Sequence, residues 1–281
     1  IVNTRAYGKD PELVIKNAKA YVRGVRESGL AVCCKHFPGD GIEELDQHLV
    51  MGVNTMECDE WDSTFGHVYK EMIDSGIQSI MAGHIALPEY SRKLRPGIKD
   101  EDIMPATLAP ELITDLLRGK LGFNGLVLTD ASHMAGMTAA MPRSQQVPGA
   151  IAAGCDMFLF FNDIEEDFGY MMDGYRNGII TEERLTDALR RILGLKASLK
   201  LHEKMKKGTL IPEKEGLSVV GCAEHLAMAA EAAKKSITLV KDTQHNLPVT
   251  PKTHKRAYAF VISSPPISRK NQHDPVKQLV K

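Results

Sequence analysis

Two histidines, two aspartates and a lysine are concentrated in residues 35–48 of this chain. This stretch follows an apolar segment, residues 30–34, whose composition predicts a buried strand. Glycine and proline interrupt the polar stretch, which favours a loop. In folds with parallel strands, the loops at the carboxyl ends of the strands carry catalytic groups. We therefore predict that residues 35–48 contribute to an active site rather than to the hydrophobic core.

A second apolar run, residues 126–129, predicts another buried strand, and Asp130 follows it directly. An aspartate at a strand end can simply form a turn. On the carboxyl face of a barrel, however, its carboxylate would lie at the floor of the active-site pocket. Asp130 is therefore a candidate active-site carboxylate.

The two motifs together resemble glycoside hydrolase family 3. The sequence Lys-His-Phe-Pro-Gly at 35–39, with Asp46 and His48 further along the same loop, is similar to the signature of the β-N-acetylglucosaminidase branch. The sequence Leu-Val-Leu-Thr-Asp-Ala-Ser-His-Met at 126–134 resembles the strand end that bears the nucleophile of that family. The resemblance covers most of residues 1–200 and, more weakly, residues 223–262. One departure is Asp40, which stands where the common family pattern has histidine.

The resemblance implies a retaining mechanism with three catalytic residues. Asp130 would attack the anomeric carbon and form a covalent glycosyl-enzyme intermediate. His48 would protonate the leaving oxygen and later activate the attacking water, for which the ordinary pKa of histidine is suitable. Asp46 would hydrogen-bond one ring nitrogen of His48 and orient the imidazole.

The resemblance also implies substrate-binding residues. Lys35 and His36 would hold sugar hydroxyls, and Arg5 matches the position of a substrate-binding arginine of the family. His84, at the end of another predicted strand, could line the pocket or serve as a buried structural histidine.

The predicted function is removal of terminal β-linked N-acetylglucosamine from oligosaccharides, without a cofactor or metal. One alternative is a phosphorylase, because histidine, unlike a carboxylate, does not repel phosphate. A second alternative is a β-glucosidase of the same family, which would take its acid from a glutamate of the second domain. A metal-dependent barrel hydrolase and an inactive sugar-binding remnant are further alternatives. The metal ligands would then be His36, Asp40, Asp46 and His48.

Composition limits the partners and the compartment. The chain has 281 residues, 43% hydrophobic content and a formal net charge of −1, so we expect neither nucleic acid nor membrane as a partner. A small carbohydrate substrate is implied by the family resemblance. The five cysteines are odd in number and suggest no disulfide framework, which favours a reducing compartment. A cytoplasmic location is therefore predicted.

Helices and strands are predicted to alternate along residues 1–201. The first helix follows Asp10-Pro11, and further helices are expected from Asp59, after Ala109-Pro110, near 147–153 and from Thr181. Residues predicted to face the core on the first and last of these helices are Val14, Ala18, Tyr21, Val22, Val25, Leu185, Leu189 and Ile192. The predicted strands are 30–34, 77–81, 126–129 and 157–161.

This alternation predicts an α/β fold with a parallel sheet covered by helices. A closed (β/α)8 TIM-type barrel needs eight strands. We therefore predict an incomplete barrel, about the C-terminal half, in residues 1–201, a linker in 202–220, and the start of a second α/β domain in 221–281. The chain alone is expected to be a poor enzyme, because an incomplete barrel leaves sheet edges open.

Overall fold

The computed structural model describes residues 6–256 and 258 of the chain. The chain divides into two compact units, Ile1–Ile211 and Pro212–Lys281. The first unit contains a parallel α/β sheet, and it holds both sequence motifs.

The central sheet of the first unit has four strands in the order β1, β3, β5, β6, and every neighbouring pair is parallel. A small second sheet pairs β2 with β4. The strands are β1 (Cys33–Phe37), β2 (Gly52–Val53), β3 (Ser79–Ala82), β4 (Ile85–Ala86), β5 (Leu126–Ala131) and β6 (Met157–Leu159). This arrangement confirms the predicted α/β class and is consistent with a TIM-type barrel whose sheet is not closed within the described residues.

Helices connect the strands as expected for a parallel sheet. They are α1 (Pro11–Glu27), α2 (Cys58–Trp61), α3 (His67–Asp74), α4 (Pro88–Leu94), α5 (Ala135–Thr138), α6 (Arg143–Ala153), α7 (Ile164–Arg176), α8 (Glu182–Ser198) and α9 (Leu201–Lys206). A π-helical turn, Asp62–Gly66, joins α2 to α3, and a longer π-helical segment, Glu111–Lys120, precedes β5.

Helix α1 begins where the sequence predicts it. The carboxylate of Asp10 accepts a hydrogen bond from the Glu12 N–H, and proline occupies the first helical position. The buried face differs in part from the prediction, because Ile15 and Val22 are buried whereas Tyr21 is 60% exposed. A tyrosine can expose its hydroxyl and part of its ring at modest cost, so helical spacing alone does not place it in the core.

The core lies between the sheet and the helices that cover it. Leu112, Ile113, Leu116 and Leu117 of the π-helical segment, which lies where a helix was predicted after Ala109-Pro110, are fully buried. On the other side of β1, the Phe37 ring makes edge contacts with Trp61 and with Tyr69 at centroid distances of 6.3 and 5.2 Å. Aromatic packing of this kind fixes the carboxyl end of β1 against α2 and α3.

The first strand lies further along the chain than predicted. It runs from Cys33 to Phe37, so Lys35 and His36 belong to the strand rather than to the loop after it. Leu30, predicted to lie in the buried strand, is 61% exposed. Within the described residues, β1 pairs only with β3 and is therefore an edge strand. The outward-facing residues Cys33 and Lys35 of this edge strand remain exposed. A charged residue therefore does not end the strand.

Helix α7 was not predicted, and α8 buries a different residue than predicted. The fully buried residues of α7 are Asp167 and Gly174, whereas its larger apolar residues are partly buried or exposed. Its start does carry a signal, because Asp163 caps the N–H groups of Glu165 and Glu166. In α8, Thr181 caps the helix as predicted, but Leu189 is 46% exposed and Ala188 is buried instead.

The second unit contains a 3-10 segment, Lys214–Val219, and helix α10, Ala223–Ser236. The predicted domain bounds stay a prediction, although the division after Ile211 falls inside the predicted linker 202–220 and α9 occupies part of that linker. The last part of the predicted second domain, residues 259–281, lies outside the described residues.

Two further observations concern the environment of the protein. All five cysteines carry free thiols. In the part of the chain that the structure describes, each helix is too short or too polar to cross a lipid bilayer.

Candidate active site

Two buried side chains donate hydrogen bonds to backbone carbonyls of the turn after β1. The Trp61 indole N–H donates a hydrogen bond to the Pro38 carbonyl at 2.8 Å, and the Asn54 amide donates to the Gly39 carbonyl at 3.3 Å. Gly39 has a φ of 134° and packs so closely on Phe65 that a Cβ would lie 2.4 Å from the ring. Only glycine fits that position, which explains why the motif has glycine there.

Asp130 lies near the carboxyl end of β5, which pairs with β3 on one side and with β6 on the other. Its side chain is 13% exposed, and Oδ1 accepts a hydrogen bond from the Ala131 N–H at 2.7 Å. Oδ2 is the oxygen that faces His36 of β1. A carboxylate held in this way on a central strand has the fixed, partly exposed position that a nucleophile needs.

His36 lies between two carboxylates. Its Nε2 is 3.5 Å from Oδ2 of Asp130, and its Nδ1 is 3.3 Å from Oδ2 of Asp40. The His36 side chain is 11% exposed. The imidazole of His36 on β1 is thus next to the candidate nucleophile, as expected where parallel strands share a carboxyl edge.

Asp46 and His48 form a hydrogen-bonded pair on the following loop. Oδ1 of Asp46 lies 2.7 Å from Nδ1 of His48 and also accepts the His48 backbone N–H at 3.0 Å. These two bonds from His48, the backbone N–H first, hold the pKa of the Asp46 carboxyl below its ordinary value. Asp46 therefore remains ionised at neutral pH and can orient the His48 ring, which is 59% exposed with Nε2 left for a substrate.

The loop that carries this pair is attached to the segment after the candidate nucleophile. The backbone N–H groups of Ala135 and Gly136, in α5, donate to the carbonyls of His48 and Gln47, each at 3.2 Å. Because α5 follows β5 directly, these bonds fix the loop relative to Asp130.

Lys35 and Arg5 are not part of the contacts described above. Lys35 is exposed on β1. Arg5 lies outside the described residues, so its predicted role remains a prediction.

The alternative metal site is not assembled in the structure. Among residues 6–256 and 258, no three His, Cys, Asp or Glu side chains lie together as a metal site requires. His36 and Asp40 form one pair, and Asp46 and His48 form another.

His84 is a buried structural residue rather than part of the pocket. It is fully buried, its Nε2 lies 2.9 Å from the Ala131 carbonyl, and its Nδ1 lies 2.9 Å from Oγ1 of Thr107. Burial lowers the pKa of His84 below its ordinary value of 6.5. The ring Nε2–H donates to the carbonyl beside Asp130.

This lowered pKa predicts a pH dependence of stability. Unfolded His84 takes up a proton below about pH 6.5, whereas the folded ring resists protonation, so its stabilisation is present above that pH and is lost as the pH falls. Between pH 6.5 and the lower pKa of folded His84, we expect the free energy of unfolding to decrease by up to about 1.4 kcal/mol for each pH unit. The measurement is an NMR titration of the His84 ring, with exposed His67 as control. A His84 midpoint at or above 6.5 would contradict the assignment.

Two residues of the site were not given a role by sequence reasoning. Asp40 was noted only as a departure from the family pattern and as a possible metal ligand, and Gln47 was not singled out. No sequence pattern indicates a role for Gln47, because its side-chain contacts with Asp40 and with the His84 backbone form only when the chain has folded.

Comparison with known proteins fits this geometry. The family model of the glycosyl hydrolase family 3 N-terminal domain matches residues 2–195. The chain belongs to glycoside hydrolase family 3. Within family 3, a "Beta-N-acetylglucosaminidase/beta-glucosidase" of Cellulomonas fimi is 49% identical over 282 residues, covering 100% of this chain and 49% of that protein. A "Beta-hexosaminidase" of Chromobacterium violaceum is 32% identical over 166 residues, covering 59% of this chain and 43% of that protein.

Two similar solved structures are named for two different activities. A "Beta-glucoside phosphorylase" superimposes with a TM-score of 0.82 at 44% identity, covering 88% of this chain and 44% of that chain. A glycoside hydrolase family 3 β-N-acetylglucosaminidase from Paenibacillus sp. superimposes with a TM-score of 0.74 at 27% identity, covering 87% of this chain and 44% of that chain. The chain thus spans about half the length of the curated relatives it matches.

Proposed function

We propose that this chain supplies the nucleophile and the acid/base pair of a retaining enzyme that cleaves terminal β-linked N-acetylglucosamine from oligosaccharides. The observation that carries the proposal is the position of Asp130 on a central strand, beside His36, with the Asp46–His48 pair on a loop bonded to the segment that follows Asp130. Cleavage of a glycosidic bond needs both a nucleophile and a proton donor, and these residues supply one of each.

The reaction has two steps. Asp130 attacks the anomeric carbon while the glycosidic bond breaks, and the leaving oxygen takes a proton from Nε2 of His48. The neutral imidazole then removes a proton from the acceptor, which attacks the same carbon and releases Asp130. His48 thereby returns to its starting protonation state, and the configuration at the anomeric carbon is retained.

Substrate binding is assigned to the residues around this centre. His36 lies next to Asp130 and can donate to a sugar hydroxyl, and exposed Lys35 on the same strand can do the same. Arg5 is proposed as a further contact on the basis of the family resemblance. The names of the relatives support N-acetylglucosamine first and glucose second as the sugar.

A second candidate function is phosphorolysis, in which phosphate rather than water is the acceptor. Two observations favour it. The proposed base is a histidine, which does not repel an anionic acceptor as a carboxylate would. One similar structure, at 44% identity, is titled as a phosphorylase.

One assay of the natural full-length protein separates these reactions. We expect cleavage of a nitrophenyl N-acetyl-β-glucosaminide, with retention at the anomeric carbon followed by NMR. In phosphate buffer a phosphorylase would form the sugar 1-phosphate, detected by phosphorus NMR, and would be slower in a buffer without phosphate. A hydrolase would form the free sugar at the same rate in both buffers. Absence of cleavage of both the N-acetylglucosaminide and the corresponding glucoside would contradict the proposal.

A cytoplasmic location is part of the proposal. Five free thiols suit a reducing compartment.

A further inference from the structure

The side chain of Gln47 connects three parts of the candidate site. It is 7% exposed, and its Nε2 donates a hydrogen bond to Oδ2 of Asp40 at 3.0 Å. Its Oε1 accepts a hydrogen bond from the backbone N–H of His84 at 3.3 Å. The orientation of the amide follows from its partners, since a carboxylate must accept and an N–H must donate. Both ends of the buried amide are therefore used.

The backbone of the same residue is also fixed. The Gln47 carbonyl accepts the Gly136 N–H, and a Cβ at Gly136 would lie only 3.0 Å from that carbonyl and 2.9 Å from the Cβ of His84. This close approach leaves no space for the loop to shift toward α5. Gln47 is thus held by its side chain on one side and by its carbonyl on the other.

The bond from Gln47 continues toward the nucleophile. The oxygen of Asp40 that accepts from Gln47 is also the oxygen that faces Nδ1 of His36 at 3.3 Å. The other ring nitrogen of His36 faces Asp130 at 3.5 Å. A continuous series of polar contacts therefore runs from the loop of His48 to the nucleophile.

We propose that Gln47 is a positioning residue that sets the distance between the acid/base pair and the nucleophile. It acts through Asp40 and His36 on one side and through its neighbours Asp46 and His48 on the other. This inference rests on the proposed function, since it concerns the alignment of the groups named there. The bond also gives a reason for the departure from the family pattern, because Asp40 offers Gln47 an acceptor that bears full negative charge.

Loss of the amide is expected to misplace His48 more than to unfold the protein. A displacement of about 1 Å in a reacting group can cost about 10²-fold in rate. Proton transfer matters most when the leaving group is a poor one, so the defect will depend on the substrate.

The test compares Gln47→Ala with Gln146→Ala in the natural full-length protein. Gln146 is also buried, and its amide donates to the carbonyls of Met137 and Met141 instead of to Asp40. We expect Gln47→Ala to lower kcat by about 10²-fold for glycosides with poor leaving groups, and by at most about threefold for activated dinitrophenyl glycosides. Gln146→Ala should lower both rates by the same small factor.

The outcomes separate the two proposals. A wild-type protein without glycosidase or phosphorylase activity would contradict the proposed function. An active wild type in which both glutamine variants show the same dependence on the leaving group would overturn the positioning role alone.

A charge exchange provides a second test that does not create a cavity. Gln47→Glu places a carboxylate against Asp40, and repulsion should reproduce the leaving-group defect of Gln47→Ala. Adding Asp40→Asn restores a donor and acceptor pair between the two side chains. The kcat of the double variant D40N/Q47E should therefore be at least about tenfold higher than that of Q47E alone. A double variant slower than Q47E alone would overturn the inference.

Discussion

Replacing Asp130 by alanine should lower kcat/KM of the natural full-length protein by more than about 10³-fold, which corresponds to a loss of more than about 4 kcal/mol of transition-state stabilisation. The loss is large because this carboxylate forms the covalent bond to the sugar, and no other group can replace it at the end of β5. A slow 2-fluoro sugar substrate should label Asp130, as determined by peptide mass spectrometry.

The control for this prediction is Asp115→Ala, which removes an exposed aspartate from the π-helical segment before β5. It should leave kcat/KM within about twofold of wild type, since surface substitutions of this kind have small effects. Labelling of a different carboxylate, such as Asp40 or Asp46, would show that the nucleophile has been assigned to the wrong residue.

Replacing His48 by alanine should produce the second largest effect, and its size should depend on the leaving group. General acid catalysis contributes about 10²- to 10⁴-fold, so natural disaccharides should be cleaved slower by a factor in that range. Aryl glycosides that depart as stable anions need little protonation and should be affected mildly in the glycosylation step. Asp46→Ala should show the same pattern more weakly, because Asp46 orients the ring without transferring the proton.

The measurement is the dependence of the rate on the pKa of the leaving group, for wild type and for His48→Ala. The matched control is His67→Ala, because His67 is also a partly exposed histidine paired with a carboxylate, that of Glu12 at 2.9 Å. An unchanged slope in His48→Ala would mean that another group is the acid. A glutamate of the second domain, as in the β-glucosidases that the family resemblance implies, would then be the better candidate.

The parts of the fold that sequence predicts well are those with one dominant physical signal. The π-helical segment before β5 has four apolar residues at helical spacing, and β5 begins with the apolar residues 126–128 and carries Asp130 near its end. Both were predicted because burial alone determines them. The hydrogen bond between Asp46 and His48 was also predicted and is present, since two residues so close in sequence can meet without help from the rest of the fold.

Features that depend on distant partners were not predictable in the same way. The register of β1 depends on its parallel pairing with β3, which places Cys33 opposite Ser79 and Phe37 opposite Ala82. The contacts of Gln47 depend on loops that meet only after the sheet has formed. Helix α7 escaped prediction because its burial falls on Asp167 and Gly174 rather than on apolar residues.

The division of the chain after Ile211 has a consequence for how such enzymes can diversify. Every group proposed here to break or form a bond lies between residues 46 and 130, well inside the first unit. The second unit can therefore accumulate substitutions, or be exchanged for that of a relative, without removing a reacting atom. Chimeras joined near residue 211 would therefore keep Asp46, His48 and Asp130 together on one inherited segment.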